Sequence, residues 1–299
     1  MKELVVLSGK GGTGKTSLVA AFATLADRKV LADCDVDAAD LHLVLTPRTI
    51  QVEEFRSRRR ARILVDRCTG CGECAAHCRP GAIALDGPGN GAIEKTYRVD
   101  PLACEGCAVC GLVCPAEAVE FRLGRDGEWY ISETRCGPMV HARLDPGGEN
   151  SGKLVSLIRD RARALAAERD LDLLLVDGSP GIGCPVIASV AGTDLVLGVA
   201  EPTLPGQHDL ERLAALTAHF RIPMVVCINK ADLNLAVASA IEGWCQARGI
   251  GIVGRIPYDS VFSEAQAQQQ SVVECTDGPA ARALRAVWHE THTTLEALR

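Results

Sequence analysis

Leu4-Val5-Val6-Leu7-Ser8-Gly9-Lys10-Gly11-Gly12-Thr13-Gly14-Lys15-Thr16-Ser17 decides the fold. An apolar run of strand length leads into a glycine-rich loop, and the loop opens onto Ser17 to Asp27, a stretch of good helix formers. Strand, loop and helix in that order form the first unit of an α/β fold. Gly9 to Thr16 fits G-x-x-x-x-G-K-[ST], the loop that cradles phosphates, in the context the pattern requires. Its glycines let successive backbone N–H groups converge on phosphate oxygens at a helix N-terminus. Lys15 brings positive charge to the terminal phosphates, and the Thr16 hydroxyl is the expected Mg²⁺ ligand. Gly9, Gly11, Gly12, Thr13, Gly14 and Ser17 complete the expected nucleotide contacts of this loop.

Outward from the loop, the strand-and-helix alternation continues. Val30 to Ala32 reads as a second strand, running into Asp33-Cys34-Asp35-Val36-Asp37. Leu171 to Val176, Leu195 to Val199 and Pro223 to Ile228 are unbroken apolar runs, as expected of parallel strands covered on both faces. Helical periodicity marks Asn150 to Glu168, with Ser151 placed to cap it, and also Leu210 to His219 and Leu235 to Arg248. The pattern predicts a doubly wound, mostly parallel sheet formed by residues 1–51 and 146–299, interrupted by an insert over 52–145. Lys plus Arg number 32 against 38 Asp plus Glu, and aromatic residues are scarce, so neither a nucleic-acid footprint nor a base-stacking platform is expected. No apolar run reaches the roughly 18 residues of a membrane span, and Met1-Lys2-Glu3 does not open a signal peptide. A reducing cytoplasm is the expected compartment.

The insert carries a different chemistry. The chain has 14 cysteines, and eight of them lie between Cys68 and Cys114, a spacing foreign to secreted disulfide scaffolds. Cys68, Cys71, Cys74 and Cys78 return 36 residues later as Cys104, Cys107, Cys110 and Cys114, and Ala82-Ile83 returns as Ala118-Val119. This spacing is that of bacterial two-cluster ferredoxins, in which three thiolates of a run bind one cubane and the fourth reaches the other. By that rule Cys68, Cys71, Cys74 and Cys114 hold one 4Fe-4S cluster, and Cys104, Cys107, Cys110 and Cys78 hold the second. Gly70, Gly72, Gly106 and Gly111 suit the tight turns that aim N–H groups at sulfide. Zinc is the alternative, but its knuckles pair cysteines across a spacer rather than packing four into one short run. The core of this ferredoxin-like α+β unit is placed at 61–123. The arginine-rich stretch Arg56 to Arg62 ahead of it reads as a solvated linker or as a surface that steers an acidic electron partner. Asp86 to Gly91 reads as a turn between the copies, and Arg125 to Glu128 as the turn of a hairpin leading back to the larger domain.

Lys10 adds a resemblance. A second lysine early in the phosphate loop marks the deviant Walker A sequence, and here the chain resembles the MinD/ParA/Mrp superfamily of P-loop ATPases. The resemblance implies an ATP-dependent homodimer in which Lys10 reaches the partner's phosphates. It also implies that Asp33 belongs to the Mg²⁺ shell and that Asp35 orients or deprotonates the attacking water. In Leu173 to Gly181, similar to a Walker B strand and switch II, Asp177 would stand behind Mg²⁺ and Gly181 near the γ-phosphate. Asn229 occupies the place of an adenine contact, with Lys230 beside it and Pro257 in a later loop. Asn229-Lys230-Ala231-Asp232 also spells the N-K-x-D of guanine-binding proteins, which leaves GTP open. Glu201-Pro202-Thr203 resembles a stretch common in the class, without an assigned chemistry. Taken together the features resemble MinD-superfamily ATPases with an inserted ferredoxin domain, including Glu149 to Lys153 where the chain re-enters the ATPase domain. That resemblance implies ATP, Mg²⁺ and two 4Fe-4S clusters as cofactors, and a slow, partner-dependent ATPase. Its homodimer would couple turnover to electron transfer, and its partner would handle electrons or assemble metallocofactors, a paralogous ATPase being one candidate. The alternatives are an ATP-gated assembly scaffold with structural clusters and a plain ferredoxin on a vestigial nucleotide fold.

Six cysteines lie outside the insert's two runs. Cys34, Cys136, Cys184, Cys227, Cys245 and Cys275 read mostly as small buried apolar residues. Cys184 lies just past switch II, where the nitrogenase iron protein binds an intersubunit cluster, but the second cysteine that site needs is replaced by Glu149-Asn150. His141, near Cys136, reads as structural. Ala280 to Arg299 is a periodic helix with few lysines and arginines, expected to pack on its own domain rather than on a membrane.

Overall fold

The computed structural model describes residues 1–148 and 152–298. The chain divides into two compact units, the larger made of Met1–Glu53, Trp129–Arg143 and Asn150–Arg299 and the smaller of Glu54–Glu128 and Leu144–Glu149. The larger unit begins with β1 (Lys2–Ser8), α1 (Lys15–Leu25), β2 (Lys29–Asp33) and α2 (Leu41–Leu45), and β3 (Arg48–Ile63) carries the chain out of it. The smaller unit holds α3 (Glu73–Ala76), β4 (Ile83–Gly87), β5 (Thr96–Val99) and α4 (Val109–Leu112), and β6 (Val119–Thr134) leads back. The remaining elements are β7 (Gly137–Leu144), α5 (Gly152–Glu168), β8 (Leu173–Asp177), α6 (Cys184–Val190), β9 (Leu195–Ala200), α7 (Leu204–His219), β10 (Met224–Asn229), α8 (Leu235–Gln246), β11 (Gly251–Ile256), α9 (Val261–Ala267), α10 (Val272–Cys275) and α11 (Pro279–Ala297). Ser151, the expected cap of α5, and the Glu149-Asn150 pair lie outside the described residues.

Nine strands form one sheet in the order β11-β10-β9-β1-β8-β2-β7-β6-β3, and β4 and β5 pair antiparallel in a sheet of their own. Parallel ladders join β11 to β10, β10 to β9, β9 to β1, β1 to β8, β8 to β2 and β2 to β7. From β1 the chain crosses to β2 on one side, and from β8 it crosses back over β1 to β9 on the other, so the direction of winding reverses at β1. Ligands of doubly wound folds bind outside the carboxyl ends of the strands at such a reversal. The central strands are buried on both faces: every residue of β8 and β9 is buried, as is all of β1 after Lys2. Leu18, Val19 and Phe22 of α1 pack on this sheet, and Leu284, Val287 and Leu295 of α11 join the same core. Trp288 meets Phe22 at 5.0 Å between ring centroids, and Lys2 Nζ donates to the Leu298 carbonyl at 2.6 Å. No helix among the described residues is long and apolar enough to cross a membrane.

Several elements differ from their sequence reading. Arg125 to Glu128 is not a turn but the middle of β6, and β6 and β7 are joined instead through Arg135-Cys136. Arg56 to Arg62 is not a linker but part of β3, with Phe55, Ala61 and Ile63 buried. One cause is Asp126, fully buried, which accepts the Ser57 and Arg58 N–H groups at 2.9 Å each and pairs with the Arg58 and Arg60 guanidiniums at 3.0 and 2.8 Å. Arg58 and Arg60 are therefore spent within the unit, which removes them from any steering surface. Segment 129–143, placed by sequence within the insert, groups with the larger unit because Met139 and Val140 of β7 stand in register with Leu31 and Ala32 of β2. α7 starts at Leu204, ahead of the periodicity, because Pro205 occupies its first turn and the Thr203 hydroxyl accepts the Gly206 N–H at 3.0 Å.

The smaller unit repeats itself in backbone as well as in sequence. The Leu64 N–H donates to Ala118 O and the Asp100 N–H to Ala82 O, each at 2.7 Å, so each copy hooks into the other. Left-handed backbone recurs at Gly70 and Gly106, both at φ 72°, at Gly72 and Ala108, and at Gly81 and Glu117. Ala108 and Glu117 adopt it at φ 67° and 48° without the freedom of glycine. Position in the repeat, not residue type, sets the backbone there. Cys68, Cys74, Cys104 and Cys110 lie in this unit's own core with Ala61, Ile63, Ala82 and Ala118.

Candidate functional site

Strand register builds the first site. Asp33, the last residue of β2, is the ladder partner of Asp177, the last residue of β8, and Val6 of β1 lies beside Asp177. Two carboxylates therefore meet at adjacent strand ends, directly below the loop that follows β1. Asp35 joins them two residues on, its N–H donating to Asp33 Oδ1 at 3.2 Å. Lys15, the first residue of α1, drops into this group: its Nζ lies 2.9 Å from Asp35 Oδ2 and 3.5 Å from Asp177 Oδ1. All four residues are buried.

One ammonium against three carboxylates leaves a negative surplus where water cannot screen it. Asp33 titrates well above the usual carboxylate range, driven first by burial and then by Asp177 and Asp35. Burial also raises Asp35, and Lys15 offsets it only in part. Burial works to lower the Lys15 ammonium, but Asp177, Asp35 and Asp33 outweigh it and the net shift is upward. Asp33 Oδ2 and both carboxylate oxygens of Asp177 are buried without a hydrogen-bond partner. Such orphaned anionic oxygens suit a divalent cation, and a hard cation with oxygen ligands matches this donor set. Thr16 lines the cavity above, of about 790 Å³, with Gly12, Lys15, Ser17, Asp35 and Pro180.

A second cavity of about 640 Å³ shares Gly12, Gly14, Ser17 and Gln266 with the first and extends to Asn229, Lys230 and Pro257. The expected phosphate and base contacts thus line adjoining spaces. Asn229 Nδ2 donates to Thr13 O at 2.7 Å, while its Oδ1 is buried and unpartnered. Gly14 must be glycine: its φ is 90°, and a Cβ would stand 2.3 Å from Asn229 Nδ2. Gly9 is equally constrained by Asp209, whose Cβ would be 2.0 Å away. Gly181, at φ 93°, donates its N–H to Ser8 O at 2.9 Å, which keeps it against the start of the loop although it does not line the cavity. Asp232 Oδ1 accepts the Tyr258 N–H at 2.7 Å and fixes the loop after β11. Phe262 and Gln266, which the sequence reading passed over, join Tyr258 of the loop after β11 in the wall of the second cavity.

Lys10 does not project freely. Its Nζ pairs with Glu201 Oε2 at 2.8 Å, and Glu201 Oε1 takes Lys230. Burial would raise the Glu201 carboxyl, but the hydrogen bonds from Lys10 and Lys230 prevail and hold it below its ordinary value. The sequence offered Glu201-Pro202-Thr203 without a chemistry; its position after β9, next to β1, supplies one.

In the smaller unit, Cys78 lines a largely apolar cavity of about 350 Å³ together with Cys104, Cys107 and Cys110. Burial, with Cys68, Cys114 and Cys71 adding to it, pushes Cys74 up to about 11. Burial likewise raises Cys110, with Cys104, Cys107 and Cys78 contributing. The thiols therefore sort into two fours, and in each the last cysteine of one run stands with the first three of the other. Cys78 Sγ accepts the Ala82 N–H and Cys114 Sγ the Ala118 N–H, each at 3.2 Å. Among the described residues no three His, Cys, Asp or Glu side chains are placed to hold a single metal ion. Cysteines set around a small apolar space, with N–H donors on sulfur, are a donor set that, once deprotonated, suits iron–sulfur cubanes.

The remaining cysteines separate. Cys34, Cys227 and Cys245 are fully buried, Cys136 nearly so, Cys275 partly, and Cys184 is exposed at the start of α6. His141 is lowered to about 4 by burial, stacks on Tyr130 and shares a 2.9 Å hydrogen bond with Ser132, in keeping with a structural place in the sheet.

An uncharacterised protein of Methanocaldococcus jannaschii is 33% identical over 236 residues, covering 78% of this chain and 79% of its own. An uncharacterised ferredoxin of the same organism is 33% identical over 75 residues, 23% of this chain and 39% of its own. The MinD cell division protein of Aquifex aeolicus has the same fold, with a TM-score of 0.58 at 17% identity, covering 98% of this chain and 97% of that one. The model of the CobQ/CobB/MinD/ParA nucleotide-binding domain matches residues 4–272. With its P-loop, its deviant lysine and its parallel sheet in place, the chain belongs to the CobQ/CobB/MinD/ParA family of P-loop ATPases.

Proposed function

We propose that the chain is an ATP-hydrolysing iron–sulfur protein that dimerises on nucleotide and couples turnover to electron transfer through two 4Fe-4S clusters in its smaller unit. The observation that carries the reading is the coexistence, in one chain, of a P-loop lysine outnumbered by buried carboxylates and of eight thiols sorted into two crossed fours.

Lys15 is tied to Asp35 at 2.9 Å. A triphosphate offers Lys15 better-placed negative charge, and its transfer to the phosphates leaves the Asp35 carboxylate without its cation. Burial already raises Asp35, and losing Lys15 raises it further, towards the range in which a carboxylate takes a proton from water. Asp35 is thus the base for the attacking water. The N–H groups of Gly9 to Gly14 and the N-terminus of α1 hold the phosphates in line, and Gly181, tied to Ser8, stands where a γ-phosphate would be sensed. Asp33, Asp177 and Thr16 would hold Mg²⁺, which when bound neutralises phosphate charge. Lys10 completes the partner's site. Asn229 Oδ1 is free to accept from an adenine amino group, and Asp232 is committed to the Tyr258 N–H, an arrangement that favours ATP over GTP.

In the smaller unit Cys68, Cys71, Cys74 and Cys114 hold one cluster and Cys104, Cys107, Cys110 and Cys78 the other. When bound, the clusters supply one-electron transfer. The chain's own part is to lower the charge on sulfur through the Ala82 and Ala118 N–H groups and to exclude water with Ala61, Ile83 and Phe121. The physiological partner is a protein that exchanges electrons or assembles metallocofactors. Anaerobically purified protein is expected to contain about eight irons and eight sulfides per chain and to hydrolyse ATP. Lys15→Ala is expected to keep the iron and lose the hydrolysis. Iron-free protein, or iron-loaded protein that ignores both ATP and GTP, would overturn the reading.

A further inference from the structure

Glu201 joins two lysines that approach the nucleotide site from different sides. It is 8% exposed, follows β9 directly, and accepts Lys10 on one carboxylate oxygen and Lys230 on the other. Lys230 also donates to Gly12 O at 3.1 Å, so a continuous chain of contacts runs from Lys10 through Glu201 and Lys230 back into the phosphate loop. The two arms differ in exposure. Lys10 is 40% exposed at its side chain and Lys230 29%, against 11% for Glu201. Lys230 is held at two points, Lys10 at one. The Glu201 backbone has little freedom, since its carbonyl accepts the Thr203 N–H at 2.8 Å and a Cβ on Gly206 would lie 2.4 Å from it.

We propose that Glu201 is a positioning residue that holds Lys10 back, so that Lys10 reaches a partner's phosphates only by exchanging this carboxylate for them. The proposal rests on the dimeric reading of Lys10 given above. A half-exposed ion pair is a modest barrier, easily outbid by a triphosphate, yet strong enough to keep a lysine folded back when no nucleotide faces it. One carboxylate shared by two ammonium groups is also a poor trap for both at once. Release of the singly held Lys10 leaves Lys230 and Glu201 as an intact pair supporting the base-side loop. Asp209, the other carboxylate near this end of the loop, packs against Gly9 and faces Arg212.

The test has two arms. In the nucleotide-free chain, acylation of lysine amines read by mass spectrometry should modify Lys10 at least about fivefold faster in Glu201→Gln. Lys230→Met, which leaves Glu201 to Lys10 alone, should slow the same modification. In the second arm, sedimentation with Mg²⁺ and a non-hydrolysable ATP analogue should show Glu201→Gln dimerising at several-fold lower protein concentration. The same substitution in a Lys10→Ala background should change nothing. Unchanged Lys10 acylation in Glu201→Gln, or an equal loss of dimer in both backgrounds, would overturn the proposal and leave Glu201 as a support for the loop. A wild-type chain that stays monomeric with nucleotide would instead overturn the dimeric reading, and the acylation arm alone would then decide whether Glu201 restrains Lys10.

Discussion

The two units solve opposite electrostatic problems. In the larger unit, parallel strands bring Asp33, Asp35 and Asp177 together at their carboxyl ends and provide one lysine, so the site holds a repulsion that a cation and a nucleotide would relieve. In the smaller unit a short chain folds back twice on nearly the same path. Its thiols are met by backbone N–H groups rather than by charged side chains. The first site is assembled over long sequence distances and concentrates buried negative charge. The second is local and repetitive, and its strain is in the backbone, at Ala108 and Glu117. The difference implies that removing charge should stabilise the first site, whereas removing a ligand should collapse the second.

The largest effect is expected from the crossed cysteines. Cys78→Ala should lower iron from about eight to about four per chain by removing the cluster shared with Cys104, Cys107 and Cys110. Because the fours are crossed, adding Cys107→Ala to Cys78→Ala should cost no further iron, whereas adding Cys71→Ala should remove nearly all of it. The reverse pattern in iron analysis would mean that each run keeps its own fourth ligand.

An intermediate effect of opposite sign is expected at Asp33. Its carboxyl titrates above its ordinary 3.8 in the folded chain, so below that value both states are protonated and no penalty exists. As pH rises through the window between 3.8 and the raised folded value, the unfolded chain releases this proton while the buried, negatively surrounded Asp33 keeps it, and stability is lost. Asp33→Asn removes this loss. Without nucleotide or metal, the variant should be more stable than wild type near neutral pH by about 1–2 kcal/mol, with the advantage fading towards pH 4 in thermal melts. Its Mg²⁺-dependent hydrolysis should fall by about a hundredfold or more. A variant less stable at neutral pH would show that the three carboxylates are better compensated than their geometry indicates.

The smallest effect sharpens the repeat. Ala108→Gly places glycine where Gly72 already stands in the other copy, and should stabilise the iron-loaded protein by about 0.5–1 kcal/mol. No gain in denaturant titration would mean that the left-handed backbone at 108 carries little strain.

The parts legible in the sequence were those whose signal is local. Gly9 to Thr16 and the two cysteine runs carry their chemistry in spacing alone, because a helix N-terminus or a tight turn is built from neighbours. The apolar runs marked the parallel strands for the same reason. What escaped depends on which strands lie side by side. Arg125 to Glu128 looks like a turn until Asp126 is seen buried against the arginines of β3, and β7 looks like part of the insert until it pairs with β2. Glu201 acquires its partners only because β9 lies next to β1 and β10. The start of α7 was hidden because its apolar periodicity begins only at Leu210, after a first turn made with Pro205 and Gly206.

Communication between the nucleotide loop and the crossed thiols is what would make this chain a coupled machine rather than two separate sites. Electron paramagnetic resonance of the dithionite-reduced, iron-loaded protein, recorded with and without Mg²⁺-ATP, measures it most directly. The expected result is a nucleotide-dependent change in the cluster signals or their midpoint potentials that Lys15→Ala abolishes without loss of iron. Identical spectra and potentials in both conditions, from protein shown to bind the nucleotide, would contradict it.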